Sequence, residues 1–370
     1  MNMNRFTAGM RSNSHLGIVF LFALLPLSGQ GTPVFSTETR LSTVNFHVVQ
    51  GKNYVEDLKP EDFVLLEDGS PKRITLFESA ATQRTTPMEM VLLFDKSGSV
   101  TEAGLLNPLV FRDKLLASLP TVKLSAYGFD SSVARYTPAT RDFTRLSAAF
   151  AALAKPKVTG GDKIPIDLFP RRQKGDGQTW LYEAIAAAVR DVSGKEDGVT
   201  RMILVFSDGL GTTTAVPEDA ARVCNEDGMP VYAVLLGHGR LQEAYEQAIS
   251  DSAKAAFAGE RGSTVGGDGQ PPTGGSPDRK LKVAEESLRA ANAFASLGVL
   301  TGGRDFDPPE ITLDVMQRVL EDVALSVSTE YIVGFSPEAG DGKPRKHTIE
   351  IRLRNQQAGK VLGGSRSAVY

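Results

Sequence analysis

A doubly wound α/β fold with a mostly parallel sheet is predicted by three features of the sequence. Short, largely apolar runs recur at residues 90–94, 122–128, 202–206 and 231–236. Amphipathic stretches with helical spacing lie between them, and β-patterned segments flank the whole. Strands covered by helices on both faces read as unbroken apolar runs rather than alternating ones, so these four are the parallel candidates. Residues 134–137 are expected to form an antiparallel edge.

The helices follow from caps and periodicity. Asn107 supplies an N-cap and Pro108 fills the first helical position, where a missing N–H costs nothing. Leu109, Leu116 and Leu119 are the expected core stripe of that helix. Leu181, Ile185, Ala188 and Val192 recur at helical spacing, as do Leu313, Met316, Leu320 and Val323. Pro217 opens a further helix, which Gly228 can close. Lone Cys224 falls in that helix as a small apolar side chain and is expected to be buried.

The flanks are β in pattern. Residues 43–49, 63–67 and 74–77 read as strands, with turns at Lys59-Pro60-Glu61-Asp62 and Asp68-Gly69. Residues 80–87 read as a linker. After Ser328 come strands at 331–335 and 347–353, a turn at Gly340-Asp341-Gly342, and a short strand ending at Tyr370. The N- and C-terminal strands are expected to form a smaller β-module, a sandwich into which the α/β domain is inserted. Residues 157–178 and 258–277, rich in Gly and Pro, are expected to be surface loops, the second flexible.

Of 370 residues, 41% are hydrophobic and 23% charged, a globular composition. The formal net charge of -3 and the absence of a Lys/Arg stripe interleaved with aromatics exclude nucleic acid as an expected partner. Arg5, Arg11 and His15 precede an apolar run at 16–27 and the small residues Ser28-Gly29-Gln30-Gly31, the pattern of a secretory signal peptide over 1–31. A bilayer-spanning helix needs about 20 apolar residues, so a cleaved signal is favoured over an uncleaved anchor. Gln30 stands where a lipoprotein site would need cysteine, so no lipid anchor is expected there. The chain is therefore expected to be exported, to the periplasm, the cell surface or the medium, with no membrane span after cleavage.

One constellation carries chemistry. The strand at 90–94 ends in Asp95-Lys96-Ser97-Gly98-Ser99, placing a carboxylate and two hydroxyls at the carboxyl edge of the sheet, where open α/β sheets bind ligands. Thr179 leads into the helix beginning near Leu181, and Ser207-Asp208-Gly209 follows the strand ending at Phe206. Three loops thus offer oxygen ligands. Two Asp and three hydroxyls suit Mg²⁺, with Mn²⁺ or Ca²⁺ as alternatives. Because the hydroxyls are neutral, a cation held there stays electrophilic and can accept an acidic group from a partner.

Asp95-x-Ser97-x-Ser99, with the later Thr179 and Asp208, resembles the metal-ion-dependent adhesion site of von Willebrand factor type A domains, over residues 88–328. The resemblance implies that Ser97, Ser99 and Thr179 contact the metal directly or nearly so, and Asp95 and Asp208 directly or through water. Leu58-Lys59-Pro60-Glu61-Asp62-Phe63, Glu67-Asp68-Gly69, Thr301-Gly302-Gly303-Arg304 and Tyr331-Ile332-Val333-Gly334-Phe335 are similar to a narrower group, the exported bacterial VWFA-related acidobacterial family. Domain organisation is then a signal peptide at 1–31, an N-terminal β-module and linker at 32–87, the type A domain at 88–328 and C-terminal strands at 329–370. The resemblance implies no enzyme, but an adhesion-type module for a protein ligand with an exposed Asp or Glu carboxylate.

Two other readings stand beside it. One is a structural envelope scaffold whose metal site is degenerate and whose β-module does the binding. The other is a phosphatase-like hydrolase with Asp95 as nucleophile, but Ser97 occupies the position where that class places a second carboxylate, and no Gly-x-Ser-x-Gly elbow or phosphate loop is present. Lys96 is expected to point into solvent, His238 to sit in a loop, and Trp180 to pack rather than recognise. Arg171, Arg172 and Lys174 either steer an acidic partner or form a solvated polar loop.

Overall fold

The apolar runs become the middle of one seven-stranded sheet. The structure, a computed structural model, describes residues 41–369 except 52, 81, 83–85, 98–104, 156, 167–178, 194–198, 262–275 and 338–344, with backbone alone at 258–261 and 366–369. The expected signal peptide, Ser99, Arg171, Arg172, Lys174 and the turn at Gly340-Asp341-Gly342 lie outside the described residues. Among the described residues no helix is long and apolar enough to cross a membrane.

In chain order, β1 (Ser42–Gln50), β2 (Asn53–Tyr54), β3 (Phe63–Glu67), β4 (Ser70–Lys72) and β5 (Leu76–Glu78) come first. Then follow β6 (Met88–Asp95), α1 (Pro108–Phe111), β7 (Val122–Phe129), β8 (Val133–Thr140), α2 (Phe143–Leu153), β9 (Asp162–Ile164), α3 (Leu181–Val192) and β10 (Thr200–Ser207). The α/β part continues through α4 (Pro217–Glu226), β11 (Val231–Leu235), α5 (His238–Arg261), α6 (Pro277–Thr301), β12 (Arg304–Phe306) and α7 (Leu313–Thr329). The chain ends with β13 (Tyr331–Phe335), β14 (Lys346–Leu353), β15 (Lys360–Leu362) and β16 (Ser365–Val369).

The large sheet has the order β12-β11-β10-β6-β7-β8-β9. Its first five strands are parallel, β8 pairs antiparallel with β7, and β9 pairs antiparallel with β8. Along central β6, Met90, Leu92 and Phe94 enter one core layer while Val91 and Leu93 enter the other, which is why no polar residue interrupts the run.

The structure corrects several expectations. Residues 134–137 lie in β8, which is not the edge, because β9 pairs outside it, within the segment expected to be loop. Leu109 and Leu313 are exposed. Asn107 caps α1 as expected, accepting from the Leu109 N–H, but the helix widens to a π turn over Arg112–Leu116 and buries Val110, Phe111, Leu115 and Leu116. His238 begins a helix, with its Nδ1 2.8 Å from Asp307 Oδ2. Cys224 is buried as expected.

N- and C-terminal strands share sheets, as the pattern predicts. β1 pairs antiparallel with β13, and β3 with β14. The two sheets enclose one core in which Phe46 meets Phe63 edge-on at 5.2 Å and stacks on Tyr331. The opposite face of β1 is polar and meets α7: His47 Nε2 lies 2.8 Å from the Ser326 carbonyl oxygen, and Asn45 Nδ2 donates to the fully buried Glu330.

The Thr301-Gly302-Gly303-Arg304 segment is explained by backbone crowding. The Thr301 hydroxyl accepts the Val231 N–H at 2.8 Å, so the end of α6 anchors the start of β11. Gly302 adopts a left-handed φ of 84° that ends α6. A Cβ on Gly303 would collide with the Val231 carbonyl group, and that neighbour is backbone and cannot step aside. Gly303→Ala is therefore expected to lower stability by about 3 kcal/mol, read as a fall in urea midpoint at unchanged slope; a shift within error would show that β11 and β12 separate freely.

Asp68 and Gly69 both have positive φ, 49° and 78°, forming the turn between β3 and β4. The Asp68 carboxylate accepts the Thr348 N–H and pairs with His347 Nδ1, each at 2.8 Å, tying the turn to β14. The Thr348 hydrogen bond first, and then His347, hold this carboxyl below its ordinary value. A depressed folded-state value adds stability that is full above the unfolded value near 4 and lost as the pH falls. Asp68→Asn keeps an acceptor and tolerates the left-handed turn. It is expected to be less stable than the native chain at neutral pH, with the difference closing below about pH 4; urea midpoints across that range give the answer.

Candidate metal site

β6 and β10 are parallel neighbours in register from Met88 with Thr200 to Phe94 with Phe206, which brings the ends of both strands together at the carboxyl edge. Asp95 closes β6 and is 1% exposed. Its Oδ2 accepts the Ser207 hydroxyl at 2.6 Å and its Oδ1 accepts the Ser97 N–H at 2.8 Å. Asp208 follows β10, half-buried, with Oδ1 accepting the Leu210 N–H. The structure thus brings Asp95, Ser97 and Asp208 to one edge, and the Asp208 charge is felt at Asp95.

Thr179 reaches the same edge by a different route. It is buried just before α3, its N–H donates to the Thr212 hydroxyl at 2.8 Å, and the Thr212 N–H donates back to the Thr179 carbonyl at 3.0 Å. Thr213 donates to Glu183 on α3 at 3.0 Å. The loop after β10 is therefore laced to the start of α3. Ser207, Thr212 and Glu183 were not legible as site residues, although Ser207 stands beside Asp208 and Thr212 opens a Thr triplet. Trp180 packs partly buried against the α3 core layer, as expected, while its N–H donates to the Asp130 carbonyl.

Lys96 does not point into solvent. It is buried, and its ammonium donates to the carbonyl oxygens of Leu153 and Lys155 at the end of α2. Burial lowers its pKa, against the attraction of Asp130. The residue thus directs its charge away from Asp95 and toward the negative end of a helix. Lys96→Met strips both carbonyls of their donor and is expected to cost about 1–3 kcal/mol in chemical denaturation; an unchanged midpoint would mean that water replaces the ammonium.

What remains at Asp95 is a buried carboxylate with no cationic side chain beside it among the described residues. Burial pushes its carboxyl up to about 6 against the pull of the Ser207 and Ser97 hydrogen bonds, and Asp208 adds to the rise. Among the described residues no three of His, Cys, Asp and Glu gather to hold a metal. The donor set is two carboxylates with the hydroxyls of Ser97 and Thr179, hard oxygen ligands that fit a hard divalent cation.

No protein-family model matches the chain, and no curated protein matches it. Among solved structures it is similar to the conserved hypothetical protein BatB from Bacteroides thetaiotaomicron, at 16% identity over 65% of this chain and 98% of that one, TM-score 0.36. It is also similar to an aerotolerance-related membrane protein from Bacteroides fragilis, at 14% identity over 64% and 98%, TM-score 0.35. A third is proximal thread matrix protein 1 from the mussel byssus with a zinc-occupied MIDAS motif, at 10% identity over 68% and 47%, TM-score 0.36. The fold stated here rests on the strand order, and the site on its own hydrogen bonds.

Proposed function

We propose that this chain is an exported, non-enzymatic binding module of the von Willebrand factor type A kind. Its carboxyl sheet edge would hold one divalent cation, Mg²⁺ first, through Asp95, Ser97, Ser99, Thr179 and Asp208, and take a carboxylate from a protein partner. The observation that supports this reading is Asp95 itself: a buried carboxylate beside a second one, answered among the described residues by the Ser207 and Ser97 hydroxyls and the Ser97 amide. Taking such a charge from water is costly unless it is paired. A cation at this edge would supply that pairing and the electrophile for the partner's acid. Ser99 enters the set from the motif alone.

The residues of the chain divide the work. Ser207 orients Asp95, Thr212 fixes Thr179, and Lys96 turns its ammonium to the end of α2 rather than toward Asp95. A hydrolytic role for Asp95 is disfavoured because both carboxylate oxygens are engaged and the residue is almost inaccessible to an attacking geometry.

Titration calorimetry of Mg²⁺ and Mn²⁺ into the metal-stripped full chain tests the proposal. One-site binding is expected, weakened about a hundredfold or more in Asp95→Asn and Asp208→Asn and about tenfold in Thr179→Ala, with folding checked by circular dichroism. No saturable binding, or binding indifferent to all three substitutions, would leave a scaffold with a degenerate site.

A further inference from the structure

The α5–α6 pair stands on the same edge as the candidate metal site. α6 returns to the amino edge of the sheet, where Thr301 holds Val231 at the start of β11. Ten residues earlier it crosses the carboxyl edge: a Cβ built on Gly209, next to Asp208, would lie 2.8 Å from the Ala291 Cα and 3.1 Å from the Phe294 Cβ. The helix is uninterrupted from Pro277. At 1.5 Å of rise per residue, the part before Ala291 continues past the edge by on the order of 20 Å.

α5 rises beside it from the end of β11, and the Ser252 hydroxyl donates to Asp278 at 2.9 Å, fixing the two helices antiparallel near the top. Among residues 238–257 of α5 only Ala248 is buried.

The stripe of α6 that presses on Gly209 runs through Ala290, Ala291 and Phe294. Successive turns above it, the same stripe carries Ser287, Val283 and Lys280. Val283 is 56% exposed. Lys282 pairs with Glu286, and Arg289 with Glu285. Arg279 and Lys280, both exposed, are in no ion pair with a described residue.

We propose that this projecting stripe of α6 is the second half of the ligand face, and that Val283 and Lys280 select an acidic protein partner carrying an apolar residue near the carboxylate bound at the metal edge. The inference rests on the proposed function, and the charge argues for the same partner: exposed Lys280, in no ion pair with a described residue, stands on the stripe above an edge that would receive a carboxylate. The overhang also gives the site what a lone cation lacks, since a metal reads any well-placed acid.

The test is selection of a random dodecapeptide library on the Mn²⁺-loaded full chain with elution by EDTA, then binding of the eluted peptides to Val283→Asp and Lys280→Glu. Acidic peptides with an apolar residue are expected, bound at least about tenfold more weakly by each variant, while the Mn²⁺ titration and circular dichroism of both stay native. EDTA-eluted peptides that bind both variants as tightly as the native chain would overturn the role of α6 and leave the metal reading intact. Mn²⁺ binding with no peptide enriched would overturn it too. Loss of Mn²⁺ binding in the native chain would sink the proposed function first, and with it this inference.

Discussion

The parallel pairing of β6 with β10 is the constraint on which the candidate metal edge depends. It aligns Phe94 with Phe206, stacked at 4.8 Å, and so sets Asp95 and Ser207 side by side one residue on. A slip of the register by one residue would turn every side chain to the other face. Here it would carry Asp95 away from Ser207 and exchange Val91 and Leu93 with Leu92 and Phe94 between the two core layers. The packing that stabilises the sheet and the geometry that prepares the site are therefore one property of the same two strands.

The same pair carries one ion pair, Arg201 with Glu89 at 3.5 Å, while two nearby cations are directed to helix ends. Lys96 lies beside Asp95 in the chain, yet its ammonium goes to the carbonyls closing α2. The Arg141 guanidinium does the same for Leu116 and Leu119 after α1. Each cation is used where backbone oxygens are left over at a helix terminus. The consequence at the carboxyl edge is that Lys96 does not neutralise Asp95, whose carboxylate is met by the Ser207 hydroxyl and the Ser97 amide.

Much of this was legible in the sequence because the strands are buried on both faces, and such strands announce themselves by composition alone. Residues 90–94, 122–128 and 202–206 fall inside β6, β7 and β10, and Pro108 and Pro217 begin their helices. The edges were less legible. β9 and β12 are three residues each, too short to show a period, and β9 lies in a Gly-rich stretch whose composition argues for loop. Leu109 was misassigned because a π turn shifts the helical phase after Phe111. Motif and strand position also pick out Asp95, Ser97, Thr179 and Asp208 as candidates, and the structure places them at one sheet edge. They do not pick out Ser207 and Thr212, since the roles of these two come from strand register and a return hydrogen bond between distant loops.

The two edges of the large sheet are built by opposite means, and that difference bears on what each can do. At the amino edge Thr301, Gly302 and Gly303 bring backbone against backbone, with Gly303 on Val231 and Gly302 on Gly363 of the β-module. Such contacts leave no side chain to rearrange, so the β-module and the sheet are locked where α6 ends. At the carboxyl edge one such backbone contact, Gly209 on Ala291, is joined by hydroxyls and carboxylates, side chains that can exchange partners without moving a strand. α6 spans both, fixed at Thr301 and overhanging beyond Ala291. A partner docked on the overhang as proposed would press on a helix anchored at the opposite edge by Thr301. That is the arrangement expected of a preorganised binding face.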